Sequence, residues 1–181
     1  SCPKPLFIQT EAGLEGIKTD ALPLCNSYED FIEQLAFVAT TTDYKTLVID
    51  SLDWLEKLIF RRVCGEHNVE DIGKIPFGKG QVAAEHKWQM IIDTLTKLNR
   101  DKKLIIVLIA HAQVVKFEDP ERESYDRYVP DLHKRAAPLV CEFVDIIGFA
   151  ALKTTVVSKE AGFGATVTKA KVNGERILYL E

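Results

Sequence analysis

The chain of 181 residues sets a reactive side chain at the end of each of three apolar runs. Asp50 closes Thr46 to Asp50 (TLVID), Glu11 follows Pro5 to Gln9 (PLFIQ) in the turn TEAGLEG, and His111 follows Leu104 to Ala110 (LIIVLIA). A carboxylate at the end of a buried strand is costly unless it is paired or near a cation. An apolar run closed by Asp is also a pattern that holds Mg²⁺ through water beside phosphates. The competing reading is a helix N-cap, because Asp50 or Ser51 precedes a helical stretch and suits that position. Glu11, flanked by Gly13 and Gly16, could polarise a water for attack on a γ-phosphate, or stand solvated on a loop. His111 could touch a γ-phosphate and report its loss, or be an ordinary strand-end histidine. The joint placement at three strand ends carries more than any one of these residues.

That placement depends on the elements behind it. PLFIQ reads as a short buried strand. Ser27 reads as an N-cap, with Asp30 three residues on in place of the usual Glu, and Phe31, Leu35 and Val38 keep helical spacing through Ala39. TLVID reads as a strand buried on both faces. Leu52, Leu55, Leu58, Ile59 and Val63 then form the stripe of an amphipathic helix. Gly65 to Gly80 is a connector containing IPFGKG, before a helix with Val82, Trp88, Ile91, Ile92, Leu95 and Leu98 on one side. LIIVLIA is the most apolar strand, and Gln113 to Asp131, highly charged with two Pro, reads as an extended hairpin or loop. Leu132 to Val144 returns to helical spacing, and Asp145 to Ala150 reads as a strand. The tail alternates in three stretches, Thr154–Val157, Thr166–Thr168 and Ile177–Leu180, with Gly162, Gly164 and Asn173-Gly174 between them as hairpin turns.

Strands alternating with helices imply an α/β fold, with a mostly parallel sheet flanked by helices and C-terminal antiparallel hairpins. Ligands of such sheets bind at the carboxyl ends of the strands. That rule selects Thr10 and Glu11, Asp50 and Ser51, His111 and Gln113, and Lys153.

Composition narrows the classes. With 46% hydrophobic and 28% charged residues and a net charge of −4, collagen-like, low-complexity and disordered chains are excluded, and one domain is expected. No apolar run approaches the roughly 20 residues of a membrane span, and neither a span nor a secretory leader is expected. Four scattered Cys point to a reduced, cytoplasmic setting rather than disulfides. Cys64 and His67 are spaced like half a zinc site, but no second half follows, so they read as a helix-end Cys and a surface His. Charge is uneven: the first 44 residues are acidic, while 45–110 and 151–181 carry small basic excesses. No segment is basic enough to announce nucleic acid by charge alone.

Four stretches, TLVIDSLDWLEKLI, IPFGKGQVAAEHKWQMIIDTLTKL, LIIVLIAHAQ and YDRYVPDLHKRAAPLVCEFVDIIGFA, follow one another in the order seen in phage-borne RecA-like ATPases. The chain thus resembles the AAA-domain nucleotide-binding proteins of phages, some of which are single-strand annealing recombinases of the Sak type. The resemblance runs from FIQTEAGLEG to the C-terminal hairpins. It implies one RecA-like P-loop NTPase domain over 1–181, with ATP and Mg²⁺ as cofactors. By it, Asp50 matches the Walker B carboxylate, holding Mg²⁺ through water with Ser51 beside it. Glu11 matches the catalytic glutamate, and His111 the phosphate sensor, with Gln113 as the alternative.

The chain departs from that family at one point: no G-x-x-x-x-G-K-[ST] run occurs in it. FGKG is no substitute, since it lacks the downstream Ser or Thr and opens a helix in the wrong place. In the family the P-loop lies just before the strand that begins here at Pro5. The expectation is therefore a chain that starts after the P-loop, and one that also continues beyond LYLE; the alternative is a true loss, leaving a pseudo-ATPase.

The resemblance also turns two connectors toward single-stranded DNA. One carries Lys74 and Lys79; the other carries Lys116, Arg122, Arg127, Lys134 and Arg135. Phe77, Tyr125 and Tyr128 are interleaved and could stack on unpaired bases. Glu118, Asp119, Glu121, Glu123 and Asp126 argue instead for a solvated hairpin. Head-to-tail homo-oligomers, as rings or filaments, are the expected assembly. In them Lys153, Lys169 or Lys171 would supply a cation in trans. The expected role is ATP-dependent DNA recombination in the cytoplasm of a phage's bacterial host. The rivals are a non-catalytic assembly or protein-binding module and a helicase-loader-like ATPase.

Overall fold

The computed structural model describes residues 2–41, 43–121, 123–161 and 165–180, with the side chains of 155–173 outside the description. Strand β1 (Pro5–Gln9) and the two-residue β2 (Asp20–Ala21) precede helix α1 (Tyr28–Thr40), and β3 (Thr46–Asp50) runs into α2 (Leu52–His67). Two 3-10 turns, Ile72–Lys74 and Pro76–Gly78, lead into the long α3 (Lys79–Lys102). Then come β4 (Ile105–Ile109), β5 (Ala112–Phe117), β6 (Tyr125–Pro130), α4 (Ala136–Phe143), β7 (Gly148–Ala161) and β8 (Ala165–Leu180). The chain divides into two compact units, Ser1–Val140 and Cys141–Glu181.

The first unit is built on a parallel sheet in the order β2-β1-β3-β4. Its helices flank it because each presents one apolar stripe. Helix α1 opens on a capping box: the Ser27 hydroxyl accepts from the Asp30 N–H at 3.1 Å, and the Asp30 carboxylate accepts from the Ser27 N–H at 3.1 Å. It then buries Phe31, Leu35 and Val38. Helix α2 buries the whole predicted stripe from Leu52 to Val63. Helix α3 buries Trp88, Ile91, Ile92, Leu95 and Leu98, but Val82 lies at the surface rather than with the stripe. Each fully buried aliphatic or aromatic side chain contributes about 1.5–3 kcal/mol of transfer free energy.

Strand β3 is buried at Thr46, Leu47, Val48 and Ile49, so both faces of the sheet are covered there. Strand β4 ends the sheet, and its Ile105 and Ile109 are exposed despite their apolar character. The FGKG segment serves packing. Gly78 adopts φ +67 at the N-cap of α3, and a Cβ on Gly80 would lie 2.7 Å from Ile72 Cγ1 and 2.8 Å from the Ile72 carbonyl. The connector therefore packs on α3 only because residue 80 has no side chain.

Strands β5 and β6 form the expected charged hairpin, Ala112 opposite Pro130 through Phe117 opposite Tyr125. In the second unit β7 and β8 pair over most of their length as one long antiparallel hairpin, where the sequence pattern predicts two turns. Asn173-Gly174 lies inside β8, and Gly174 at φ +80 sits at a register shift opposite Leu152–Thr154. The glycine is used for a bulge instead of a turn. The other predicted turn, at Gly162 and Gly164, lies outside the described residues.

Candidate functional site

Sheet register does what the spacing of the three apolar runs implied. Gln9, Asp50 and Ile109 lie side by side as the last residues of β1, β3 and β4. Residues 10–11, 51 and 110–111 therefore leave the sheet together at its carboxyl edge. Thr10 fastens two of these exits: its N–H donates to the Asp50 carbonyl at 2.7 Å, and its buried hydroxyl donates to the Ser51 carbonyl at 2.5 Å. The Asp50–Ser51 peptide is cis.

The third exit is fastened by a residue the sequence reading passed over. Asp53, in the first turn of α2, is 7% exposed. Its Oδ1 accepts the His111 backbone N–H at 3.2 Å, and both carboxylate oxygens lie 3.1 Å from His111 Nδ1. Glu11 Oε1 stands 4.0 Å from the same nitrogen. A carboxylate only accepts, so the pairing places a proton on Nδ1 and turns Nε2 away from Asp53. The one sequence signal for Asp53 was an acid in a helix's first turn, which reads equally well as a partner of the helix dipole.

The electrostatics separate the acids. Burial pushes the Asp50 carboxyl above the usual range, neighbouring Glu11 and Asp53 push it further, and His111 opposes them. Burial acts most strongly on Asp53 too, but the His111 hydrogen bonds and the nearby Ser51 hydroxyl outweigh it and hold that carboxyl below its ordinary value. The hydrogen bond and charge of Asp53 raise His111, against a smaller desolvation, with Glu11 and Asp50 adding to the rise. The result is an ionised Asp53, a proton-retaining His111 and a carboxyl at Asp50 that carries excess negative potential.

These residues suit a hydrated divalent cation at Asp50. The Ser51 hydroxyl is fully buried and, though close to Asp53, makes no hydrogen bond of acceptable geometry, which leaves a polar atom uncommitted beside the acids. Direct ligation is less well served, as no cluster of three metal-ligating side chains occurs among the described residues, Cys64 and His67 included. Nothing in the sequence supplies a glycine-rich phosphate cradle, and Gly78 and Gly80 of FGKG are committed to packing.

Of the other predicted residues, Gln113 uses its amide across the hairpin base, donating to the Pro130 carbonyl at 3.3 Å and the Leu132 carbonyl at 3.5 Å. Lys74 pairs with Glu70 at 3.1 Å, and Arg135 with Glu85 at 2.7 Å. Arg127 lies over the Phe117 ring at 4.1 Å, and Phe117 packs on Tyr125. Lys79, Lys116 and Lys134 are exposed. Phe77 is 96% exposed with φ 59, and Tyr128 is 62% exposed. Arg122 and the side chains of Lys169 and Lys171 lie outside the described residues. Lys153 pairs with Glu175 at 3.0 Å across β7 and β8.

A parallel sheet flanked by helices, with Asp50, Glu11 and His111 gathered at its carboxyl edge, is the architecture of a RecA-like α/β domain. A profile described as an AAA domain matches residues 1–181, and the chain belongs to that family. No curated protein matches the chain. Among the described residues no helix is long and apolar enough to cross a membrane.

Proposed function

We propose that this chain is the ATP-hydrolysing core of a phage-type DNA recombination protein that anneals single strands. The observation that carries the catalytic part is the common register of β1, β3 and β4, which brings Glu11, Asp50 and His111 to one edge, with Asp53 holding His111 there. When bound there, Mg·ATP would supply an activated γ-phosphate and a cation to neutralise its charge. Asp50 would hold the cation through water, with Ser51 beside it. Glu11, reaching over the same edge, would accept a proton from the attacking water at a carboxylate oxygen. His111, kept protonated at Nδ1 by Asp53, would offer Nε2 to the phosphate and carry its state into β5.

The DNA part of the reading rests on the hairpin that starts at His111. Its aromatics Tyr125 and Tyr128 are exposed, with Lys116, Arg127 and Lys134 along the same segment, a combination that suits stacking on unpaired bases beside a cationic track. Lys74, Lys79 and Phe77 extend it from the connector before α3. Head-to-tail assembly as a ring or filament would let one subunit complete its neighbour's site.

The test is ATP hydrolysis by the intact protein and its Glu11→Gln variant. The expected result is nucleotide binding that survives the change and turnover that falls about 10²–10⁴-fold, as for loss of a general base. Wild-type turnover in Glu11→Gln would remove that role. Absence of Mg²⁺-dependent ATP binding to the intact protein would leave the second reading, a non-catalytic assembly module.

A further inference from the structure

The hairpin β5–β6 is fastened to α2 at both ends. Asp53 holds the leading end through His111; Glu56, one helical turn further on, holds the returning end. Glu56 is 7% exposed, and its Oε2 accepts the His133 backbone N–H at 2.9 Å. The two ends are also tied together, since the Asp131 N–H donates to the His111 carbonyl at 2.7 Å. One more turn along α2, Phe60 meets the His133 ring edge-on at 6.2 Å. Spacings of three and four put Asp53, Glu56 and Phe60 on one face of the helix. That helix starts directly after Asp50 and Ser51.

The second oxygen of Glu56 is not committed. Oε1 and the indole Nε1 of Trp88 are both buried and lack a well-formed hydrogen bond. They stand near enough for the indole to favour the ionised carboxylate. Burial raises the carboxyl of Glu56, the His133 N–H and Trp88 oppose that rise, and Asp131 and Asp53 add to it. A carboxylate kept in so unfavourable a place answers to the donors it meets, and the stronger of these belongs to the hairpin.

We propose that Glu56 is a positioning residue: through His133 it fixes the returning end of the hairpin on α2, and so makes the hairpin's grip on single-stranded DNA follow the state of the strand-end acids. A displacement of α2 at its start, directly after Asp50 and Ser51, would reach Glu56 about 6 Å along the helix from Leu52 and move both hairpin ends at once. This inference rests on the DNA reading of the hairpin.

Two variants of the intact protein test it. Glu56→Met matches the side chain in size but cannot accept, whereas Glu56→Gln keeps one carbonyl oxygen for the His133 N–H. In Glu56→Met, amide exchange over residues 131–135 is expected to quicken about tenfold or more, as for loss of a charge-assisted bond. The increase in single-strand affinity on adding ATP should shrink by a similar factor. Hydrolysis without DNA should stay within about twofold, because Glu56 touches none of the strand-end residues. Glu56→Gln should recover most of both losses. Wild-type exchange and wild-type ATP-dependent affinity in Glu56→Met would overturn the proposal, and so would a Gln variant as impaired as the Met one. If the wild-type protein binds no single strand in any nucleotide state, the DNA reading fails by itself, and amide exchange alone then decides for or against the clamp. Should Glu56→Met not fold, His133→Pro removes the donated N–H from the other side and is read in the same way.

Discussion

Asp53→Ala is the perturbation that probes the strand-end site most directly, since Asp53 joins α2 to the exit of β4 through both the backbone N–H and the ring of His111. The substitution removes two contacts. The His111 N–H to Oδ1 bond, 3.2 Å long and made to a carboxylate that is 7% exposed, is worth about 1.5–3 kcal/mol. The pairing with the imidazole is worth less, because that side chain is 62% exposed and solvent screens it to about 0.5–1 kcal/mol. Their sum centres near 3 kcal/mol, which for a domain of this size lowers the melting temperature by about 6–12 °C. The pair also has a pH signature. His111 is raised above its ordinary value of 6.5, so its share of stability is complete below 6.5 and is lost as pH climbs through the raised value. Asp53 is lowered from 3.8, so its share is complete above 3.8 and is lost as pH falls through the lowered value. Between 3.8 and 6.5 both are at full strength. Thermal unfolding followed by circular dichroism measures the first quantity, and a histidine titration by NMR measures the second. In Asp53→Asn, His111 should titrate closer to 6.5. An unchanged His111 titration, or a melting temperature within 2 °C of wild type for Asp53→Ala, would refute the reasoning.

Three further changes separate scaffold from function. Phe31→Ala empties a fully buried site under α1 and should cost about 3–5 kcal/mol by denaturant unfolding. Ser27→Ala breaks the capping box and should cost about 1 kcal/mol in the same measurement. On the DNA reading, Tyr128→Ala, at a side chain 62% exposed, should weaken single-strand binding by about 1–3 kcal/mol, the worth of one base stacked on an aromatic ring; equal affinities for mutant and wild type would remove Tyr128 from the interface.

Most of the scaffold could be read from one-dimensional pattern. The stripes of α1 and α2 and the apolar runs of β1, β3 and β4 repeat at the periods of helix and strand, because a buried face leaves its period in the sequence. Val82 shows where the pattern misleads: Gly80 and Ala84 carry the buried face through that turn of α3, so an apolar letter between them falls off the stripe. Asn173-Gly174 shows another limit: a residue tolerant of positive φ serves a bulge as readily as a turn, and cross-strand register decides between them.

The sequence by itself determined which three residues leave strands with a reactive group, Glu11, Asp50 and His111. It did so because a charged residue closing an apolar run is conspicuous without any knowledge of contacts. Only the tertiary structure decided that these ends lie in one row and that Asp53 and Glu56 are the anchors on α2. On a helix whose other face is solvated, a buried acid and a surface acid have the same letter and the same spacing. What distinguishes them is a donor more than fifty residues away in the chain, the N–H of His111 or of His133, brought within hydrogen-bond distance by the fold.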